Sequence, residues 1–209
     1  KCMSYLGISA KNLSMKLNSY LGDECEADKR YIAIMTANHA YALKGRLRGG
    51  VNFNELEEPE EGVFDDLKTC FHIPNRITQL INDRMNSLYE RGKLTDMMFT
   101  EFKRHIDKQT YYMSATERIV STPIPRSYYW HLKLFLVMYA GFLPFGYIHE
   151  SEFWIMFVTM FIYYAFAGFD QIAEEIEEPF GTDYNDLPMD KLCYDIRNYV
   201  KALVPAARN

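Results

Sequence analysis

Hydrophobic and polar positions along this chain recur at the three- and four-residue steps of a helix, and no stretch alternates convincingly at the two-residue step of a strand. Tyr5 to Leu21 reads as a first helix, broken at Gly22-Asp23-Glu24-Cys25-Glu26, with Asp28 placed to cap the second. From Lys29 to Arg48, Ile32, Met35, Ala40, Leu43 and Leu47 line up as one apolar face, and Gly49-Gly50 ends the helix. Val51 to His72 is acidic, centred on Glu55-Leu56-Glu57-Glu58-Pro59-Glu60-Glu61-Gly62, and reads as a solvated surface loop. Pro74 opens a helix with the stripe Ile77, Leu80, Ile81, Met85 and Leu88, and Gly92 stops it. Thr95 is a plausible N-cap for a longer one, roughly 37 Å in length, in which Met98, Phe102, Ile106, Met113 and Val120 share a face.

The pattern changes after Thr122-Pro123-Ile124-Pro125-Arg126, which breaks that helix. Leu132 to Ile148 is apolar apart from Lys133, and Phe153 to Phe169 contains no charged residue. His149-Glu150-Ser151-Glu152 forms the turn between them. Each run is about seventeen residues, roughly 25 Å as a helix and at the lower edge of what spans a bilayer. Tyr128, Tyr129 and Trp130 stand at one end of the pair and Tyr147, Phe153 and Trp154 at the other, in the manner of interfacial belts. The pair therefore predicts a membrane hairpin. Lys103, Arg104, Lys108, Arg118 and Arg126 precede it and the turn has no Lys or Arg, which puts both ends of the hairpin in the cytoplasm. A final amphipathic segment begins near Asp190, with Leu192, Ile196, Val200 and Leu203 on one face.

These elements predict an all-α chain in three parts: cytoplasmic helices over residues 1–126, a transmembrane hairpin over 127–169, and an acidic segment with a C-terminal cytoplasmic helix over 170–209. Two spans are few for a pore or transporter. The chain opens on Lys1 rather than methionine, and the reading expects further segments before it. A net charge of -5 with no basic stripe argues against a nucleic-acid surface. The four cysteines have no metal or redox spacing and read as free thiols in a reducing compartment. The five histidines have no metal-motif partner at helical spacing, and no nucleophile–base pair or phosphate loop is visible, so nothing points to an enzyme.

The densest chemistry lies just past the apolar pair. Ala173 to Pro188 carries six carboxylates in sixteen residues. The run Glu174-Glu175-Ile176-Glu177-Glu178-Pro179-Phe180-Gly181-Thr182-Asp183-Tyr184-Asn185-Asp186-Leu187-Pro188-Met189-Asp190 resembles the signature of the bestrophin family in its bacterial branch, as does Thr122-Pro123-Ile124-Pro125. The order of elements is also similar, from about Lys29 to Val204. The resemblance implies a homopentameric ion channel in the inner membrane, passing small monovalent ions, anion or cation undecided. Its partners would be other copies of itself, the bilayer and those ions. Family members have four membrane helices per subunit, and this chain holds what look like the last two.

The same resemblance implies two sites. Calcium-controlled members bind the ion in a clasp just past the last membrane helix. Matched through Pro179-Phe180-Gly181, its side-chain ligands fall on Asp183 and Asp186 and its main-chain carbonyl ligands on Glu175 and Glu178, making calcium a candidate cofactor and not a requirement. The alternative is structural, with Asp183 or Asp186 capping a turn and the glutamates pairing with basic residues of a neighbouring subunit. The second site is the cytoplasmic constriction of the pore, an apolar side chain early in the long helix. Counted back from Pro125 it falls on Met97, with Met98 as the neighbour that a one-residue shift selects. Positions 4, 7 and 11 beyond Met97 are Glu101, Arg104 and Lys108, so Met97 heads a polar face and Met98 heads the core stripe. Two rival readings stand beside the channel: a non-conducting membrane scaffold or regulator, and, ranked last, a metal-dependent membrane enzyme.

Overall fold

The computed structural model describes residues 1–122, 125–146, 154–177 and 179–204, except the side chains of 126, 128–129, 143–144, 146, 155 and 173–177. Among these residues the chain is all-α and contains no strand. The helices are α1 (Cys2–Tyr20), α2 (Glu26–Leu47), α3 (Val63–Thr69), α4 (Ile73–Glu90), α5 (Asp96–Ser121), α6 (Arg126–Gly146), α7 (Trp154–Glu177) and α8 (Met189–Leu203). Contacts divide the chain into two units, Lys1–Ile119 with the C-terminal segment from Pro188, and Val120–Leu187.

The first unit is built around α2. Every residue from Tyr31 to Gly45 is buried, where one apolar face was expected. Helices α1, α4 and α8 pack around it, and its alanines, Ala33, Ala37, Ala40 and Ala42, let them come close. The main core joins Leu13 and Leu17 of α1, Ile32 and Met35 of α2, Ile77, Ile81, Met85 and Leu88 of α4, and Phe102 and Ile106 of α5. Each such side chain contributes about 1.5–3 kcal/mol by leaving water. The predicted stripe of α4 is thus the observed one, with Leu80 half-buried. On α5, Val120 departs from the predicted face and is exposed. On α8 Ile196 and Val200 of the expected stripe are buried, with Met189 and Cys193 beside them, while Leu192 and Leu203 are half-buried at its edge.

Two sequence expectations need correction. Asp28 is no cap: α2 already starts at Glu26, and Asp28 is buried inside it, held by Arg84 at 3.1 Å and Arg91 at 2.8 Å. A carboxylate withdrawn from water needs such partners. Nor is Val51 to His72 a solvated loop. Leu56 and Leu67 are buried, and Asn38 on α2 clasps the main chain of Glu57, donating to its carbonyl at 2.6 Å and accepting from its amide at 3.0 Å. The segment's acids answer cations elsewhere: Glu60 pairs with Arg84 at 2.5 Å and Asp66 with Arg76 at 2.8 Å.

Lys44, only 5% exposed, sits between Glu55 at 2.6 Å and Asp190 at 2.7 Å. Burial pushes its ammonium down, but hydrogen bonds to Asp190 and Glu55 outweigh this and hold it above its ordinary range. Lys44 and Arg48 together lower Asp190 to about 2. These contacts tie the first turn of α8 to the last turns of α2.

The chain leaves α2 through Gly49, whose φ of +90° favours glycine. It then folds back so that the Gly50 amide donates to the Gly45 carbonyl at 2.8 Å. The return brings backbone directly against Gly45. A Cβ there would lie 2.7 Å from both the Gly50 carbonyl oxygen and the Val51 Cα.

The second unit pairs α6 with α7. Lys133 near the start of α6 lies 3.6 Å from Asp170 near the end of α7, so the two run antiparallel as a hairpin. Tyr139 stacks on Phe135 and meets Phe166 edge-on. Large apolar side chains point outward from both helices, among them Phe142, Phe145, Phe157, Met160 and Phe161. Trp130 and Trp154 of the predicted belts are exposed. Tyr147, Phe153, the turn His149–Glu152, and Pro123 and Ile124 of the Pro-rich break lie outside the described residues. Among the described residues no helix is long and apolar enough to cross a membrane.

Candidate functional site

The start of α5 places the first candidate pair. The Thr95 hydroxyl accepts from the Met98 amide at 3.4 Å, as its sequence position predicts for a capping residue. Asp96 in the first turn accepts from the Tyr89 hydroxyl at 2.7 Å, which raises that phenol's pKa. Consecutive residues on a helix point about 100° apart, so Met97 and Met98 have different surroundings. Met98 packs against the core beside Phe99, while Met97 is 81% exposed.

The polar face behind Met97 is partly neutralised. Glu101 receives Lys16 of α1 at 2.5 Å and Arg104 at 3.2 Å, and the Lys16 contact holds its carboxyl below the usual range. Lys16 was missed by sequence reasoning, since it lies 85 residues away and no local spacing links the two. Tyr111 was missed as well; it is 70% exposed and continues the same face. Behind that face His105 is buried, its imidazole pushed down by burial and then by the charges of Lys16 and Lys108.

The acidic segment forms a closed turn after α7. The Leu187 amide donates to the Pro179 carbonyl at 3.0 Å and the Asp186 amide to the Asp183 carbonyl at 3.1 Å. The Asp186 carboxylate accepts from the Asp183 amide at 2.7 Å. Phe180 is buried, whereas Asp183 is exposed. Glu175 stands in the last turns of α7 with its side chain outside the described residues, and Glu178 lies outside them altogether. Asp183 and Asp186 are thus brought together, in the arrangement of a side chain capping its own turn. Calcium takes six to eight oxygens. Among the described residues no group of three acidic, histidine or cysteine side chains is placed to hold a metal. The two carboxylates alone fall short of that number, and the main-chain carbonyls implied with them, of Glu175 and Glu178, are not both among the described residues.

A family model described as Bacterial/Fungal Bestrophin protein matches residues 1–202. The chain belongs to the bestrophin family. Its fold agrees with that of a bacterial bestrophin homologue from Klebsiella pneumoniae, at a TM-score of 0.90 and 27% identity, covering 99% of this chain and 77% of that one. A voltage-dependent anion channel-forming protein of Escherichia coli K12 is 32% identical over 202 residues, which is 92% of this chain and 63% of the relative. One from Salmonella typhi is 33% identical over 123 residues, 58% of this chain and 40% of the relative. The bestrophin chain described here therefore spans about half the length of these curated relatives. The family's members are channels, not enzymes.

Proposed function

We propose that this chain is the cytoplasmic and hairpin portion of a subunit in a bestrophin-like channel of the inner membrane. Five copies surround one pathway for small monovalent ions, and the ions favoured are anions. The relatives named as anion channel-forming proteins support the direction of selectivity. The outward apolar side chains of α6 and α7 support a bilayer environment for the hairpin, and the Lys and Arg residues before it, with none in its turn, support a cytoplasmic location for both of its ends. The turn at Asp183 and Asp186 then stands at the inner membrane face as a structural element.

The observation that carries this reading is the exposure of Met97 at the head of a polar face. A large apolar side chain so placed gains nothing from the core of its own chain. Repeated around a five-fold axis, it makes an apolar ring that controls conduction by excluding water. Met97→Ala in the full-length protein is expected to widen that ring and raise single-channel conductance about twofold or more. An unchanged conductance and open probability would remove Met97 from the pathway. Met98→Ala should instead lower thermal stability, because Met98 packs on the core.

A further inference from the structure

Glu101, Arg104, Lys108 and Tyr111 all lie within roughly 40° of Met97 around the axis of α5. Arg104 and Lys108 stand about 10 and 16 Å further along it. Within this arc the acid is Glu101, already answered by Lys16 at 2.5 Å and Arg104 at 3.2 Å, and Asp107 stands exposed at its margin. Lys108 is exposed and makes no ion pair among the described residues. The stripe therefore keeps a positive excess, although the whole chain is net negative at -5. It is bounded by exposed apolar side chains, Met97 and Tyr111. A shallow depression of about 530 Å³ runs beside it, lined by Thr100, Glu101, Lys103, Arg104, Asp107 and Lys108 among others, so that three cations there face two acids.

Resting on the reading of Met97 as the constriction, we propose that Arg104 and Lys108 set the preference of the pathway for inorganic anions such as chloride. The depression is open and large beside a hydrated halide, so nothing in it strips the ion of water. Selection here acts through the field of the fixed charges, which raises the local concentration of counter-ions. Such a field is screened within about 10 Å at 0.1 M salt. The preference for anions should then be strong in dilute salt and fade as salt rises. Glu101 keeps its part by neutralising Lys16, so its removal should strengthen the anion preference.

The test uses the full-length protein in planar bilayers, with reversal potentials read in potassium chloride gradients. Wild type should favour chloride over potassium, most strongly at low salt. Lys108→Glu should lower the chloride-to-potassium permeability ratio by about threefold or more, and Lys108→Arg should restore it. Lys68→Glu, an equal charge change on α3 where Lys68 pairs with Asp65 at 3.4 Å, should leave the ratio as it was. Wild-type potassium selectivity overturns the proposal. So does an unchanged ratio in Lys108→Glu while Met97→Ala still alters conductance, which would spare the constriction. If Met97→Ala also has no effect, both readings fail.

Discussion

Replacing Gly45 by alanine is expected to cost about 3 kcal/mol or to prevent folding, although alanine favours a helix by about 1 kcal/mol over glycine. The added Cβ would meet the Gly50 oxygen and the Val51 Cα, both at 2.7 Å. These are backbone atoms, held in place by the Gly50 amide bond to the Gly45 carbonyl at 2.8 Å and by the left-handed Gly49. No rotamer change relieves the overlap. The return of the chain must move outward, and with it the segment that brings Glu55 to Lys44. Gly7→Ala is the matched control. It is also helical, but its Cβ would touch only the Ile196 side chain at 3.4 Å, an ordinary contact. Unfolding in detergent should show Gly7→Ala near or above wild type and Gly45→Ala far below it. Equal stabilities would mean that the turn after α2 yields easily.

The second large effect is acid sensitivity through His39. This side chain is fully buried in α2 and, among the described residues, neither ring nitrogen has a hydrogen-bond partner. Burial, then the charge of His72, lowers it from 6.5 to about 4. His72 itself faces Glu117 at 3.1 Å, and Glu117 also holds Arg46 at 2.6 Å. The folded protein keeps His39 neutral while the unfolded chain takes up a proton near pH 6.5. Between these values the unfolded state binds more protons, so stability is full above 6.5 and is lost as pH falls toward 4. The loss should amount to about 3 kcal/mol on completion. His39→Leu removes this term. Because the imidazole makes no hydrogen bond among the described residues, the variant should be close to wild type at pH 7.5 and more stable than wild type at pH 4.5. Parallel unfolding curves of the two proteins across this range would show that His39 does not carry the acid response.

How much of this was legible in the sequence depended on how each element is satisfied. Helix α4 was plain, because Pro74, the apolar stripe and Gly92 are local signals and the structure uses each of them. The separation of Met97 from Met98 was equally plain, since it follows from the helical angle alone. Helix α2 was misread because it is buried on all sides. Its polar residues, Asp28, Asn38 and Lys44, look like a solvent face until their partners are known. Those partners are Arg84 and Arg91, the Glu57 main chain, and Glu55 with Asp190, none of them within reach along the helix itself. The acidic stretch from Val51 to His72 was misread for the same reason, since charge density reports exposure only when nothing folds onto it. At the acidic motif the family resemblance implied a cation clasp; Asp186 is engaged with the Asp183 amide, and Glu178 lies outside the described residues. Family membership was legible there because it rests on residue order, whereas ligand geometry does not.

Single-channel recording of the full-length protein in planar bilayers tests the central claim most directly, with subunit number checked on the same sample. Discrete anion-favouring currents from pentamers, with conductance raised by Met97→Ala, are the predicted result. Well-formed pentamers that stay electrically silent would contradict it and favour a non-conducting membrane scaffold.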